Sequence, residues 1–217
     1  MANKATSNYR IIVLISGNGT NLQALINDAP KSGFTIDLVI SNKADAYGLK
    51  RAKKHQIPCK ILESQLFNSQ EDFDHALTVI LDEKNPQLIV LAGFMRILGK
   101  KFVRHFHGRI VNIHPSLLPK YPGINTYQRA LDAEDRTHGA TVHFVTEELD
   151  GGPIIAQQSV EISPYETTET LAEKTLKIEH ALYPEVVNLF ASGRLKMTDG
   201  KVMLDKEIVS QKNGRFD

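Results

Sequence analysis

Short apolar runs alternate with segments of helical periodicity along the first half of the chain. Five apolar runs are predicted to be strands, at residues 10–16, 36–41, 58–62, 88–92 and 109–113. The segments between them are predicted to be helices, at residues 21–31, 47–55, 70–84 and 100–106. Strands that are apolar throughout are buried on both faces, so this alternation predicts an α/β fold, with a doubly wound, mostly parallel sheet and helices on both faces.

The pattern changes in the second half of the chain. Two more strands are predicted at residues 140–145 and 154–162, on either side of the Asp150-Gly151-Gly152-Pro153 turn. A long helix is predicted from residue 168 to residue 192, and residues 195–205 are predicted to form a closing hairpin. We therefore expect a C-terminal part with mixed strands and a long helix, which shares one core with the parallel part.

Composition narrows the classes of partner. The 217 residues, 41% of them hydrophobic, are enough to bury a full core. The 26 basic and 25 acidic residues leave a formal net charge of +1, which does not favour a nucleic-acid or membrane partner. The apolar runs are too short to span a bilayer, no signal peptide is recognisable, and the single cysteine, Cys59, cannot form an internal disulfide. We expect a small-molecule ligand and a cytoplasmic location.

The fifth predicted strand ends with an amide and an imidazole two residues apart. Such side chains point the same way, and ligands bind at the C-terminal ends of the strands in an open parallel sheet. Asn112 and His114 are therefore candidates for an oxyanion donor and a proton-transfer group, which favours carbonyl chemistry. Hydrogen-bonded turn residues are the alternative, and the restraining prolines Pro115, Pro119 and Pro122 favour a site.

The segment Ser16-Gly17-Asn18-Gly19-Thr20-Asn21 follows the first predicted strand and opens the first helix. Backbone amides and the helix dipole favour an anion there, so this loop is a candidate phosphate site. Leu22 replaces the third glycine of a dinucleotide fingerprint, and no Gly-Lys-Ser/Thr follows, so a phosphorylated small molecule fits better than NAD or ATP. An ordinary tight turn is the alternative.

Two further segments are candidate site elements. Residues 91–98 stay apolar beyond the fourth predicted strand, which is typical of a pocket wall for a flat ligand. The alternative is that these residues belong to the core and that Arg96 is a solvated charge. Asp150 precedes two glycines, where the backbone can bring its carboxylate to another loop. Paired with His114, it would orient the imidazole and favour its protonated form; the alternative is a common Asp-Gly turn.

The remaining histidines show no metal signature. His138, His143 and Asp150 have loose spacings that match zinc sites poorly. The sequence therefore predicts no metal. The weak candidates for the site are His55, His105, His107, His138 and His143.

Three motifs together carry a resemblance to a known enzyme family. They are the segments 15–23, 91–98 and 112–119, joined by His143-Phe144-Val145 and Leu149-Asp150-Gly151-Gly152-Pro153. In this order they resemble the phosphoribosylglycinamide formyltransferases, folate-dependent enzymes of purine synthesis, and the resemblance covers nearly the whole chain. It implies a formyltransferase-like fold and the transfer of a formyl group from 10-formyltetrahydrofolate to the amine of glycinamide ribonucleotide.

The resemblance assigns the chemistry to Asn112, His114 and Asp150. In the family's reaction the amine attacks the formyl carbon and a tetrahedral intermediate forms. Asn112 and a protonated His114 would stabilise the developing oxyanion, and the folate nitrogen would leave. Asp150 would hold His114 charged and help organise water for proton transfer.

The resemblance also implies which residues bind the two substrates. The ribonucleotide-binding residues are Gly19, Thr20, Asn21 and Glu179. The folate-binding residues are Gln70, Met95, Arg96, Ile97, Leu98 and Asn112. Residues 95–98, called the wall segment below, correspond to the wall of the folate pocket.

The predicted elements and the resemblance together give a domain organisation. Residues 1–9 are expected to form a disordered or extended segment, and residues 10–217 a single formyltransferase domain. Within it, residues 10–110 are expected to form the phosphate-binding α/β part, and residues 111–217 the catalytic and folate-binding part. The expected oligomeric state is a monomer or a weak homodimer.

Three alternative functions stay open. One is the hydrolase that releases formate from the same folate, and another is the formyltransferase that acts on charged initiator tRNA. Each normally has a further domain, which we do not expect in this chain, and the near-neutral charge does not suit a tRNA surface. The third is a non-catalytic protein that binds a phosphorylated metabolite at residues 17–21.

Gln70 departs from the family, in which an arginine lies near the glutamate tail of the folate. A neutral amide does not pair with that carboxylate, so we expect weak discrimination among folates by tail charge and an intact chemical step. The substitution Gln70→Arg is expected to lower the Michaelis constant for a folate with an ionised tail, which steady-state kinetics measures. An unchanged constant would contradict this prediction.

Overall fold

The structure, a computed structural model, describes residues 9–209. The strands in that range are β1 (Tyr9–Ile15), β2 (Phe34–Ser41), β3 (Cys59–Ile61), β4 (Leu88–Leu91), β5 (Ile110–His114), β6 (Thr137–Phe144), β7 (Ile154–Glu161), β8 (Leu195–Thr198), β9 (Lys201–Leu204) and β10 (Glu207–Ile208). The helices are α1 (Thr20–Asp28), α2 (Tyr47–Lys54), α3 (Gln70–Lys84), α4 (Lys100–His105), α5 (Thr126–Asp132) and α6 (Thr168–Ala191). Short 3-10 turns lie at Ala29–Lys31 and Ser64–Leu66. The predicted segment 1–9 lies outside the described residues except for Tyr9, the first residue of β1.

A seven-stranded sheet forms the centre of the fold, in the order β3-β2-β1-β4-β5-β6-β7. β1 to β5 pair in parallel, whereas β6 pairs antiparallel with β5, and β7 antiparallel with β6. The strand order runs outward in both directions from β1 and β4, so the crevice of this doubly wound sheet opens between the C-terminal ends of those two strands. The predicted mostly parallel sheet with a mixed C-terminal part is confirmed.

Alternate residues of the central strands serve two cores, one on each face of the sheet. In β1, Ile11, Val13 and Ile15 belong to one apolar cluster, together with residues of α1 and α6. Ile12 and Leu14 belong to the other cluster, together with residues of α3 and α4. Because both faces are covered, the strand is apolar at every one of these positions.

The 24-residue helix α6 joins the two predicted parts of the chain. Thr167 caps its first turn, because its hydroxyl accepts a hydrogen bond from the Thr170 N–H while the Thr170 hydroxyl accepts one from the Thr167 N–H. Gly193, at φ 72°, follows its end. α6 packs on α1 from the first part and on β6 and β7 from the second.

The structure differs from the sequence prediction in one short helix and in the bounds of two other elements. α5 is not predicted, because its seven residues are too few to show a periodic apolar face. β6 begins at Thr137 rather than residue 140, since the polar pair Thr137 and His138 lies in register with Glu161 and Val160 of β7. In the predicted helix 21–31, the α-helix ends at Asp28, and residues Ala29–Lys31 form a 3-10 turn.

A buried tyrosine links α6 to the two central strands. Tyr183 is fully buried, and its hydroxyl lies 2.9 Å from the carbonyl oxygen of Leu91 and 3.1 Å from that of Val111. Burial raises the pKa of this hydroxyl well above its ordinary value, so it remains a hydrogen-bond donor. The contact lies under the end of β5, one residue before Asn112.

We expect Tyr183→Phe to lower the free energy of unfolding by about 1–3 kcal/mol, because two buried carbonyl oxygens lose this donor. Urea denaturation followed by circular dichroism measures the change. Tyr165 is fully exposed, so Tyr165→Phe is the matched control and should change the free energy by less than about 0.5 kcal/mol. Equal stability of the two variants would contradict the prediction.

Candidate active site

The end of β5 places Asn112 and His114 on one face of the sheet, as their spacing predicts. On the neighbouring strand β6, His143 lies opposite Asn112 and Thr141 lies opposite His114. Cross-strand partners in an antiparallel pair stand side by side on the same face. Four polar side chains therefore stand together at this strand end; three of them are buried, and that of Asn112 is half-buried.

Asp150 reaches the same face from the turn between β6 and β7. Its carboxylate oxygens lie 3.5 Å from His114 Nδ1 and 3.7 Å from His143 Nε2. One of them also accepts a hydrogen bond of 2.8 Å from the Gly123 N–H. The structure thus brings together the predicted pair, His114 and Asp150, and adds a second imidazole and a backbone donor.

The approach of Asp150 depends on the backbone of its own turn. Asp150 has a φ of 50°, in the left-handed region. A Cβ atom at Gly152 would lie 1.8 Å from the carbonyl oxygen of Phe144, so only glycine lets the chain pass β6 this closely. The left-handed backbone at Asp150 and the glycine at position 152 together allow the Asp150 carboxylate to reach the end of β5.

His143, only a weak candidate from the sequence, lies at the centre of the site. Its Nδ1 lies 2.9 Å from the carbonyl oxygen of Phe144, so the neutral ring carries its proton there, and Nε2 accepts a hydrogen bond of 3.2 Å from Asn112 Nδ2. This bond orients the Asn112 amide and leaves its second N–H for a ligand. Burial lowers the pKa of His143, against the opposing effects of the Phe144 carbonyl and Asp150.

His114 is held from both edges of its ring. Nε2 lies 2.9 Å from the carbonyl oxygen of Tyr121, and Nδ1 faces the carboxylate of Asp150. Both neighbours are hydrogen-bond acceptors. An imidazolium, which donates from both nitrogens, therefore satisfies both contacts.

The loop after His114 is fixed by a buried polar network. The hydroxyl of Thr141 donates to the Ser116 carbonyl at 2.6 Å and accepts from the Leu118 N–H at 3.1 Å. Gln157 Nε2 donates to the Leu118 carbonyl at 2.8 Å. The Leu118–Pro119 peptide bond, a candidate from the sequence, is cis.

The predicted phosphate loop lies at the crevice beside the end of β1, and α2 holds it in place. Gly19 has a φ of 71°, and a Cβ atom there would lie 2.6 Å from Gly48 Cα. Arg51 donates from Nε to the Asn18 carbonyl at 2.8 Å and from Nη2 to the Asn18 side chain at 3.0 Å. The loop leads directly into α1 at Thr20, so the N-terminus of that helix faces the crevice, where an anion is favoured.

A buried carboxylate lies beside this loop. Glu179, which is 5% exposed, accepts a hydrogen bond of 2.6 Å from Asn21 Nδ2. Burial raises the pKa of Glu179, and the Asn21 N–H opposes that effect. Asn21 Oδ1 is buried and has no hydrogen-bond partner among the residues described. The two side chains together offer acceptors to a ligand that carries hydroxyl or amine donors.

The wall segment follows β4 with alternating environments. Met95 and Ile97 are 74% and 64% exposed, whereas Phe94 and Leu98 pack on the core that α3 and α4 cover. The Met95 N–H donates to the Ser16 hydroxyl at 2.7 Å, which connects the wall segment to the start of the phosphate loop. An apolar surface is thus exposed next to the phosphate loop.

The first turns of α3 contact the wall segment through Phe73 and Gln70. The guanidinium of Arg96 lies 4.3 Å from the ring centre of Phe73, and Arg96 is half-buried. Arg96 is therefore not a solvated charge, which is the alternative interpretation of the sequence. Gln70 Nε2 donates to the Ile97 carbonyl at 3.0 Å. Gln70 therefore lies beside the wall segment, where its amide contacts the backbone.

The described part of the chain, residues 9–209, contains no group of three or more His, Cys, Asp or Glu side chains placed to hold a metal ion. None of its helices is both long and apolar enough to cross a membrane.

Comparison with known proteins shows the class to which this fold and site belong. The formyl transferase family model matches residues 9–187, and the chain belongs to this family. It is 50% identical over 198 residues to the phosphoribosylglycinamide formyltransferase of Escherichia coli (strain K12), a match that covers 90% of this chain and 93% of that protein. It resembles the crystal structure of the phosphoribosylglycinamide formyltransferase of Coxiella burnetii with a TM-score of 0.91 and 51% identity, over 94% of this chain and 97% of that one. The predicted resemblance and the predicted formyltransferase-like fold are confirmed.

The lowered pKa of His143 leads to a testable expectation. The His143 ring is expected to titrate at a lower pH than a histidine with the ordinary pKa of about 6.5, and its neutral form is expected to carry the proton on Nδ1. Nitrogen NMR of the imidazole rings measures both features. A His143 ring that titrates at about pH 6.5 or above would contradict the assignment.

The same shift affects stability. The unfolded chain binds this proton with a pKa of about 6.5 and the native state binds it less readily, so the native state loses stability as the pH falls below about 6.5. His143→Gln is expected to make that loss shallower, which urea denaturation at a series of pH values measures.

Proposed function

We propose that this protein transfers the formyl group of 10-formyltetrahydrofolate to the amine of 5-phosphoribosylglycinamide, giving N-formylglycinamide ribonucleotide and tetrahydrofolate in purine biosynthesis. The observation that carries the proposal is the meeting of Asn112, His114 and Asp150 at the end of β5. Relatives that are about half identical over nine-tenths of this chain bear the name of this reaction, which supports the same substrates here.

Asn112 and His114 would stabilise the charge that develops during the transfer. As the amine nitrogen bonds to the formyl carbon, the formyl oxygen becomes negative. The second N–H of the Asn112 amide is a suitable donor to that oxygen, in a site from which most solvent is excluded. An imidazolium at His114, whose two N–H groups face Tyr121 and Asp150, would stabilise the same charge through space. The bond from the formyl carbon to the folate nitrogen then breaks.

The transfer also requires that a proton leave the attacking amine and that one reach the departing nitrogen. Asp150 contacts both His114 and His143, so its carboxylate is the base nearest to the reacting atoms. No proton is gained or lost overall, because the amine gives one and the folate nitrogen takes one.

The ribonucleotide would bind along the crevice next to β1. The phosphate suits the backbone amides of residues 17–21 at the start of α1. Glu179 and Asn21 would bind the ribose hydroxyl groups, because their side-chain oxygens accept hydrogen bonds from such groups. They would not bind the phosphate, because a buried carboxylate repels it.

The folate would bind against the wall segment. Its flat ring system suits the exposed apolar side chains of Met95 and Ile97, which stand beside the same crevice. Among the other residues assigned to the folate, Arg96 and Leu98 face the protein instead and Asn112 points to the reacting carbon.

The alternative functions fit the site less well. A hydrolase of the same folate has no use for a phosphate loop, nor for a buried Glu179 beside it. A passive binding protein has no use for a buried carboxylate shared by two imidazoles. We further propose that residues 10–217 act as one domain, as a monomer or weak homodimer in the cytoplasm. In this domain Glu179, from the second part of the chain, completes the ribonucleotide site of the first part. The wall segment, from the first part, completes the folate site of the second.

The direct test follows the consumption of 10-formyltetrahydrofolate by absorbance, with and without the ribonucleotide, together with a formate assay. We expect consumption only when the ribonucleotide is present, and no release of formate. Consumption without the ribonucleotide and with release of formate would make this a hydrolase and overturn the proposal.

The role of Glu179 can be separated from the chemistry. Glu179→Gln is expected to raise the Michaelis constant for the ribonucleotide by about tenfold or more, because a hydrogen bond to a charged group is lost, with that for the folate unchanged. Glu185 is exposed on the same helix, and Glu185→Gln is the matched control. Equal constants in the two variants would contradict the assignment.

A further inference from the structure

We infer that Gln70, Phe73 and Asp74, in the first turns of α3, act as a clasp that positions the wall segment, and that Gln70 sets folate affinity through this positioning. The inference rests on the proposed function for its kinetic consequence. Its structural basis lies in contacts between α3 and residues 96–99.

The wall segment presents two different surfaces. Met95 and Ile97 are exposed, whereas Phe94 and Leu98 pack on the core, as expected for an extended strip with alternating faces. The exposed face has no regular ladder of hydrogen bonds behind it, since β4 ends at Leu91. Its position therefore depends on side-chain contacts from neighbouring elements.

Gln70 supplies the first of these contacts. Its Nε2 donates a hydrogen bond of 3.0 Å to the carbonyl of Ile97, the residue whose side chain is exposed at the crevice. The amide therefore fixes the backbone from which an apolar contact surface projects.

Asp74, one helical turn further along α3, supplies the second contact. Its carboxylate is 7% exposed and accepts a hydrogen bond of 2.7 Å from the N–H of Gly99, just after the wall segment. A Cβ atom at Gly99 would lie 2.6 Å from the same carboxylate oxygen, so the approach requires glycine.

Phe73 lies between these two residues in the sequence and supplies the third contact. The guanidinium of Arg96 lies over its ring at 4.3 Å, and the ring itself is buried in the core under α3. Three contacts, at residues 96, 97 and 99, thus come from one end of one helix. Ser69, whose hydroxyl accepts a hydrogen bond from Asp72 N–H, caps that end and keeps the first turn rigid.

This geometry distinguishes positioning from recognition of the tail. A residue that recognises the glutamate tail affects only donors that carry the tail. A residue that holds the wall segment affects every donor with the same ring system, with or without a tail.

The test compares three variants with the wild type. Gln70→Met removes the donor and keeps the length of the side chain, Gln70→Arg keeps an N–H donor, and Glu71→Met is the matched control on the same turn, since Glu71 is exposed and contacts Lys101 instead. Each is assayed with 10-formyltetrahydrofolate and with the corresponding formyl donor that lacks the glutamate tail.

We expect Gln70→Met to raise the Michaelis constants for both donors by about three- to tenfold, as loss of one hydrogen bond predicts, with kcat and the constant for the ribonucleotide unchanged. Gln70→Arg should keep the wild-type constant for the donor without a tail, and Glu71→Met should match the wild type throughout. An effect of Gln70→Met confined to the donor with the tail, or an equal effect of Glu71→Met, would overturn the inference.

A second readout does not depend on the activity. Amide hydrogen exchange of Gly99 in the protein without substrates should be at least about threefold faster in Gln70→Met than in the wild type or in Glu71→Met. Unchanged exchange would overturn the inference even if the enzyme is active. Faster exchange in a protein that transfers no formyl group would support the clasp while the proposed function fails.

Discussion

The carboxylate of Asp150 is the charge around which the site is arranged. Its side chain is 10% exposed, and a buried carboxylate is costly unless hydrogen-bond donors and positive charge surround it. His114 and the Gly123 N–H both lie against one of its oxygens, and His143 Nε2 lies 3.7 Å from the other. The positions of His114 and Gly123 are therefore coupled, because moving either of them leaves the carboxylate less well satisfied. Gly152 makes the arrangement sterically possible.

The sheet topology explains why these groups meet where they do. β5 is parallel to β4 on one side and antiparallel to β6 on the other, so His143 enters the site from the opposite chain direction and orients Asn112. The crevice between β1 and β4 adds the phosphate loop and the wall segment at the same edge. α6 contributes to both regions, since it carries Glu179 to the phosphate loop and Tyr183 to the ends of β4 and β5.

Local patterns predict the elements well and the contacts between them poorly. α3 is predicted with both of its ends. In the structure Ser69 caps its start and Asn85, at φ 44°, follows its end. The spacing of Asn112 and His114 predicts their shared face, since side-chain direction on a strand depends only on the chain itself. His143 is underrated, because its place opposite Asn112 depends on strand register, a tertiary property. The buried position of Glu179 has no local signal either, and only the family resemblance points to it.

The substitution Asp150→Asn shows whether the carboxylate carries the chemistry, because it keeps the shape of the side chain and removes its charge. We expect kcat for formyl transfer to fall by about a hundredfold or more, while the Michaelis constants for both substrates stay close to those of the wild type. A variant that keeps its kcat within about threefold of the wild type would show that the carboxylate does not carry the chemistry.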